Sequence, residues 1–245
     1  MTKNDEVELP LSSAELQIRI TSYTYISYSN FAYLIKSGVF AVASLTLIKI
    51  LAPDVSWRLV RISFWAASSG FALVSLVTWN RGSMLSNGRA NASDSLLPLL
   101  MGIVEYGMFI VLLPRRVPGI QWEWWYAFLA AHGFLAMVLV WNRIAQTNVA
   151  RDFDDDLAQL GRDYVGWIQR DRMGAAAVGI MGSFAFAATE TIPYLRTADL
   201  EWVHCTAGIV MFLLSLGIVK KSASQHRDVA KCISQIRART KASPA

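Results

Sequence analysis

Charged residues are scarce in this chain. Asp, Glu, Lys and Arg together make up 17% of its 245 residues, against about 25% in a typical soluble domain. Cysteine is scarcer still, and the two that occur, Cys205 and Cys232, are far apart in the sequence. This composition argues against a soluble globular domain, a disulfide framework and a thiol-rich metal site.

The sequence motifs of common enzyme classes are also missing. The chain contains no GxSxG, HExxH, CxxC, P-loop or glycine-rich dinucleotide-binding pattern. A secretory signal peptide is not expected, because the first 29 residues are polar and mixed in charge and contain no apolar core. An enzymatic function stays open but is the less favoured interpretation, and neither a cofactor nor a metal site is predicted.

Long apolar segments dominate the rest of the sequence. Hydrophobic residues make up 54% of the chain and fall into blocks of roughly 20 residues, the length of a helix that crosses a hydrocarbon core. The blocks predict an all-α polytopic membrane protein with six transmembrane helices, at 30–51, 57–79, 95–113, 122–141, 173–194 and 201–219. The chain then divides into a polar N-terminal segment with a surface helix (1–29), a membrane domain (30–219) and a basic tail (220–245).

Lys and Arg residues are unevenly distributed among the segments that join these spans. They concentrate before residue 30, between 80 and 94, between 142 and 172, and after 219. Because cytoplasmic loops carry an excess of Lys and Arg, both termini are predicted to be cytoplasmic, in a bacterial cytoplasmic membrane or an organelle membrane. Lys36 lies inside the first span, and we expect its side chain to extend to the nearby surface.

Two spans contain similar strings of residues. The string AASSGFALVSLVTWNR at 66–81 is similar to AAHGFLAMVLVWNR at 130–143. In the last span, Ala207-Gly208 aligns with Ser69-Gly70 and with His132-Gly133. Two explanations stay open: an ancient duplication that produced three helical hairpins, or independent use of tryptophan at membrane interfaces.

Small residues recur every four positions in the fifth span, at Ala175, Gly179, Ser183 and Ala187. Helices in lipid associate where small side chains let their backbones approach closely. The stripe therefore predicts a helix-packing face, either within one chain or between the chains of a homo-oligomer, with a pore-lining face as a further alternative.

The segment before that span, 148–172, is amphipathic. Apolar side chains fall on one face at helical spacing, namely Phe153, Leu157, Leu160, Tyr164, Trp167 and Ile168. Aspartates occupy the expected first turn, where the helix dipole favours negative charge. We expect a separate cytoplasmic helix at the lipid interface. The same stretch lacks the glycine that a calcium-binding loop requires, so no calcium site is predicted.

The tail that follows the last span is strongly basic. Its cationic side chains can contact an anionic cytoplasmic leaflet, and those assigned to this lipid surface are Lys220, Lys221, Arg227, Lys231, Arg237 and Arg239. The predicted partners are therefore the lipid bilayer, anionic lipid head groups and a membrane-complex or cytoplasmic protein. Nucleic acid is not a predicted partner.

Four ionisable residues inside the spans are the candidate functional residues: Glu105, His132, Glu190 and His204. Burial of such groups in lipid is unfavourable, so they usually mark an ion or solute route or pair with one another. Glu105 and His132 lie near the middle of consecutive spans, whereas Glu190 and His204 lie near the outer ends of the next two. The sequence thus predicts two carboxylate–imidazole pairs at two depths.

Three functions are compatible with these pairs. A route lined by the pairs predicts a small channel or transporter, which is the most specific interpretation. Pairs that serve only helix packing predict a non-catalytic scaffold, assembly subunit or effector. Histidines that bind haem predict a membrane redox enzyme, but the two histidines differ in depth by roughly 10 Å at 1.5 Å per residue, whereas two axial ligands of one iron need similar depths.

Overall fold

A computed structural model of the chain describes residues 23–52, 55–85, 92–114, 122–149, 153 and 155–242. Residues 1–22, which include most of the predicted surface helix, lie outside this description. The helices are α1 (Tyr23–Ile50), α2 (Arg58–Leu85), α3 (Ala92–Ile110), α4 (Trp124–Gln146), α5 (Ala158–Thr191) and α6 (Glu201–Ala242), and three short 3-10 turns flank α5 and precede α6. The described residues thus form the all-α fold that the sequence predicts.

Five of these helices, α1, α2, α4, α5 and α6, are long and apolar enough to cross a membrane. The apolar part of α3 that the structure describes, Pro98–Ile110, is shorter. Five of the six predicted spans therefore have a matching helix. The third span, predicted at 95–113, stays a prediction. The orientation also stays a prediction, so we call the end of the bundle where α1 begins and α6 ends the termini end.

α5 is one continuous helix of 34 residues, about 50 Å long at 1.5 Å per residue. The prediction of a separate helix over 148–172 is therefore wrong, because residues 158–172 form the first half of α5. No proline occurs between Ala158 and Thr191, so nothing in the sequence forces the helix to break. The basic tail is likewise the last part of α6, which continues to Ala242.

The apolar face predicted for 148–172 is buried against protein. Phe153, Leu157, Leu160, Tyr164, Trp167 and Ile168 form a core cluster together with Val229 of α6. Val140 and Ile144 of α4 pack against the same cluster. The predicted contact of this face with lipid is therefore wrong, because α4 and the extension of α6 cover it.

Two pairs of helices approach one another closely through glycine. A Cβ atom added to Gly133 of α4 would lie 2.6 Å from Cα of Gly179 in α5, and one added to Gly182 would lie 2.6 Å from the backbone nitrogen of Ala130. Between α2 and α6, Gly70 contacts Ser215 and Gly208 contacts Ser63. Each of these positions requires glycine because any side chain would push the neighbouring helix away.

These contacts give a physical reason for the repeated string. Gly70, Gly133 and Gly208, which align in the sequence, each lie where another helix crosses. Similar packing demands on α2, α4 and α6 suffice to select the same residue at these positions. The duplication of three hairpins stays a prediction.

The small-residue stripe of α5 follows its packing face only in part. Gly179 is buried against α4, whereas Ala187 is exposed and Ala175 and Ser183 are half-buried. A step of four residues advances about 40° beyond a full helical turn, so a stripe with this spacing rotates gradually around the helix. The face that packs on α4 continues instead through Gly182 and Thr189. A homo-oligomer stays a prediction.

Candidate functional site

Four polar side chains from four helices meet inside the bundle. Lys36 comes from α1, Ser75 from α2, Glu105 from α3 and His132 from α4. Glu105 is fully buried, and Lys36 and His132 are 8% and 4% exposed. We call these four residues the polar cluster. Ionisable groups buried at such depth are unfavourable unless they are paired. The four helices must therefore pack so that these side chains meet.

The carboxylate of Glu105 is held by two neighbours. Lys36 Nζ donates to Glu105 Oε2 and to Ser75 Oγ. The hydroxyl of Ser75 donates to the other carboxylate oxygen, Oε1, at 2.5 Å. The lysine and the carboxylate therefore neutralise one another, and the serine completes a closed set of hydrogen bonds around them.

His132 stands beside this ion pair without a hydrogen bond to it. Its Nε2 lies 3.5 Å from Glu105 Oε1, beyond the usual range of 2.7–3.2 Å. Nε2 is buried and has no hydrogen-bond partner among the described residues. The ring packs against Phe71, with 5.3 Å between ring centroids. A small movement of the imidazole would bring it into hydrogen-bond contact with the carboxylate.

A cavity of about 260 Å³ connects the polar cluster to the termini end. Lys36, Ser75 and His132 line one end of it, and Arg81, Asp171 and Lys221 line the other. Between these ends its wall is apolar and includes Phe71, Met101, Leu139, Val178 and Ile218. The cavity thus has an apolar body with a polar group at each end, an arrangement typical of small-molecule sites.

Arg81 forms a second buried polar contact at the far end of this cavity. Its side chain is 4% exposed and donates to Asp171 of α5 and to Gln225 of α6. One guanidinium therefore links three helices. Its Nε has no hydrogen-bond partner among the described residues. The sequence placed Arg81 in a loop after the second span, whereas the structure places it inside α2.

The opposite end of the bundle is filled by aromatic side chains. Phe64 stacks on Trp125 with ring centroids 4.1 Å apart, and Trp57 packs on Trp122 at 5.0 Å. The ring of His204 lies 4.6 Å from that of Trp122. We call these five residues the aromatic cluster. It occupies the space between α2, α4 and α6 at that end of the bundle, so the cavity lies on the other side of the polar cluster.

The predicted pair of Glu190 and His204 is not formed. His204 Nδ1 lies 2.9 Å from the hydroxyl of Tyr126, and Nε2 lies 2.8 Å from the carbonyl oxygen of Leu195. Glu190 is 42% exposed and pairs with Arg196 at 2.7 Å. The depths of the two residues match, but their helices turn them toward different neighbours, and the turn after α5 provides a closer cation.

Sequence patterns pointed to only half of the polar cluster. Glu105 and His132 were expected to meet because their depths match, and the structure brings them together. Lys36 was expected to reach the surface, but it is buried and pairs with Glu105. Ser75 gave no signal, because serine in a membrane helix usually donates to its own backbone, whereas the hydroxyl of Ser75 donates to Glu105.

Searches of family models, curated proteins and solved structures find no match to this chain. Function is therefore inferred from the polar cluster and the cavity.

Proposed function

We propose that the protein is a small membrane transporter that couples solute movement to protonation of the polar cluster. The observation that carries the proposal is the cavity that ends at Lys36, Ser75 and His132. Inward-facing carriers require a chamber that is open to one side and closed near the middle of the membrane. With the predicted orientation, the termini end is cytoplasmic and the cavity faces the cytoplasm.

The chemistry of the cluster supplies a coupling device. In the described arrangement, Glu105 neutralises Lys36. A proton on the carboxylate would remove that charge and leave Lys36 as an uncompensated positive charge, which would raise the affinity of the whole cavity for an anion. The imidazole of His132, 3.5 Å from the carboxylate, is placed to deliver or remove such a proton. Protonation of Glu105 and binding of an anionic solute would then favour one another through the charge of Lys36.

Alternating access also needs parts that move as units. The close glycine contacts join α2 to α6 and α4 to α5, and each pair is expected to behave as a rigid body. Movement of one pair against the other would separate the aromatic cluster and close the cavity. Such rocking of packed helix pairs around a central site is a known transport mechanism.

The proposal is tested by charge movement in reconstituted protein. Proteoliposomes adsorbed on a solid-supported membrane are exposed to a rapid pH change, and the transient current is recorded. The wild-type protein should produce a current that saturates with pH. The double variant Lys36→Met/Glu105→Gln removes both charges while it keeps the shape of the pair, and it should lose that current.

Glu190→Gln provides the matched control, because it removes a half-exposed carboxylate that lies away from the cavity. Its current should equal that of the wild type. A current that is unchanged in the double variant would overturn the proposal. If neither protein gives a current and the double variant differs from the wild type only in stability, the scaffold interpretation of the cluster is favoured.

A further inference from the structure

We infer that the cavity binds an amphiphilic monoanion, with its charged group at the termini end and its apolar chain directed toward His132. The inference rests on the proposed function only in taking this anion as the transported solute. Binding itself follows from the cavity and is measured separately from transport. The evidence is the charge at the termini end of the cavity, which we call its mouth, and the apolar wall between the mouth and the polar cluster.

The charge that lines the cavity is predominantly positive. Lys36, Arg81, Arg170 and Lys221 contribute cations, and Asp171 contributes one carboxylate. Lys36 is neutralised by Glu105, and Asp171 neutralises Arg81. Lys221 and Arg170 are exposed at the termini end and leave an excess of positive charge there. A cationic solute would be repelled at this mouth, whereas an anion would be attracted.

Arg81 is a further polar group at this mouth. Nη1 and Nη2 are engaged by Gln225 and Asp171, but Nε is buried without a partner among the described residues. A buried N–H without a hydrogen-bond acceptor is unfavourable. A carboxylate or phosphate oxygen that binds beside Arg81 would be stabilised by the positive charge of the guanidinium.

The wall of the cavity determines which chemical group fits as the uncharged part of the ligand. Ser75 and Arg81 lie six residues apart on α2, about 9 Å along the helix at 1.5 Å per residue. Apart from Thr78, whose hydroxyl donates to the backbone of its own helix, the side chains between the two ends are apolar, including Leu139 and Ile218. An alkyl chain fits such a wall, whereas a small hydrophilic anion would leave it without contacts.

The test measures equilibrium binding of radiolabelled octanoate to the full-length protein in phosphatidylcholine nanodiscs. Saturable binding is expected for the wild type. Octanol tests the need for charge and butyrate tests the need for a chain, and both should bind at least about tenfold more weakly. Equal affinity of octanol would overturn the anionic assignment, and equal affinity of butyrate would overturn the amphiphilic one.

Two matched pairs of variants locate the ligand. Ala136→Phe fills the cavity and should abolish binding, whereas Ala131→Phe, on the exposed face of α4, should leave it intact. Lys221→Gln should weaken binding about two- to fivefold, the typical effect of an exposed charge pair. Lys220→Gln should not, because Lys220 does not line the cavity. Unchanged binding in Ala136→Phe with intact folding would overturn the inference.

A lipid head group with the same chemistry is distinguished by a second set of nanodiscs that contain phosphatidylglycerol. Equal octanoate affinity in both sets assigns the cavity to a free amphiphile, and competition by phosphatidylglycerol assigns it to a membrane lipid. Charge movement without saturable octanoate binding would overturn this inference and leave the transporter proposal intact. Octanoate binding without charge movement would overturn the transporter proposal and leave this inference intact.

Discussion

The hydroxyl of Tyr126 lies 2.9 Å from Nδ1 of His204, so α4 and α6 are joined by a buried side-chain hydrogen bond. Nε2 of the same ring lies 2.8 Å from the carbonyl oxygen of Leu195. Because a carbonyl oxygen only accepts, Nε2 carries a proton, and in the neutral ring Nδ1 accepts from the tyrosine. The imidazole therefore links the turn after α5 to Tyr126 of α4.

Replacement of Tyr126 by phenylalanine tests this link. The aromatic ring and its packing remain, but Nδ1 of His204 loses its partner. We expect the free energy of unfolding to fall by about 1–3 kcal/mol, measured by denaturant titration in bicelles. Tyr194→Phe is the control because Tyr194 is 60% exposed, and its effect should stay within about 0.5 kcal/mol. Equal effects of the two substitutions would contradict the proposed role of the hydroxyl.

Removal of one charge from the polar cluster should be more harmful than removal of both. Lys36→Met leaves the Glu105 carboxylate buried without its cation, which typically destabilises a protein by about 3–5 kcal/mol. The double variant Lys36→Met/Glu105→Gln leaves no buried charge and should recover most of this loss. Unfolding of the wild type, Lys36→Met, Glu105→Gln and the double variant gives the coupling energy between the two side chains. Additive effects of the two substitutions would mean that the ion pair is not formed.

The close contact between α4 and α5 predicts intolerance of alanine at Gly133. A Cβ atom there would meet the backbone of Gly179, so the helices must separate. We expect a loss of about 1–3 kcal/mol. Gly217→Ala is the matched control, because no atom of the described residues lies within 4 Å of a Cβ at that position. Its helix should be unaffected or slightly stabilised, by up to about 1 kcal/mol. A Gly133→Ala protein as stable as the control would refute the close approach.

Arg61 should hold the end of α3 in place. Its Nη1 donates to the carbonyl oxygens of Leu112 at 2.7 Å and Leu113 at 3.2 Å. Arg61→Met removes these bonds, so hydrogen exchange of the amides at 109–113 should accelerate. Lys49→Met, which removes an exposed cation near the same end of the bundle, should leave exchange in that segment unchanged. Protection that survives in Arg61→Met would show that the segment is held by other contacts.

The sequence predicted the helices better than it predicted their contacts. Block length and hydropathy depend on local composition, so most of the helices appear where they were expected. The boundary placed at residue 173 failed because a change from polar to apolar residues marks the membrane surface, whereas a helix ends only where a breaker or a cap stops it. α5 contains neither at that point.

The depth of a residue can be read from its position in a span, but its direction cannot. Glu105 and His132 meet because both face inward, whereas Glu190 at a matching depth faces Arg196. Lys36 was assigned to the surface by its charge alone, and no pattern in the sequence indicated a partner for Arg61. Their partners, a carboxylate on α3 and two carbonyl groups after it, became visible only once the helices were placed side by side.

The unbroken length of α6 fixes the spacing between His204 and Gln225. These residues contact Tyr126 of α4 and Arg81 of α2 from one rigid helix. Each residue of a helix turns the chain by about 100°. A single insertion or deletion between positions 205 and 224 would therefore swing one of the two side chains away from its partner, even where a substitution at the same place is harmless. Among proteins related to this chain, we expect the residues of this stretch other than Gly208 to differ, but its length to stay the same.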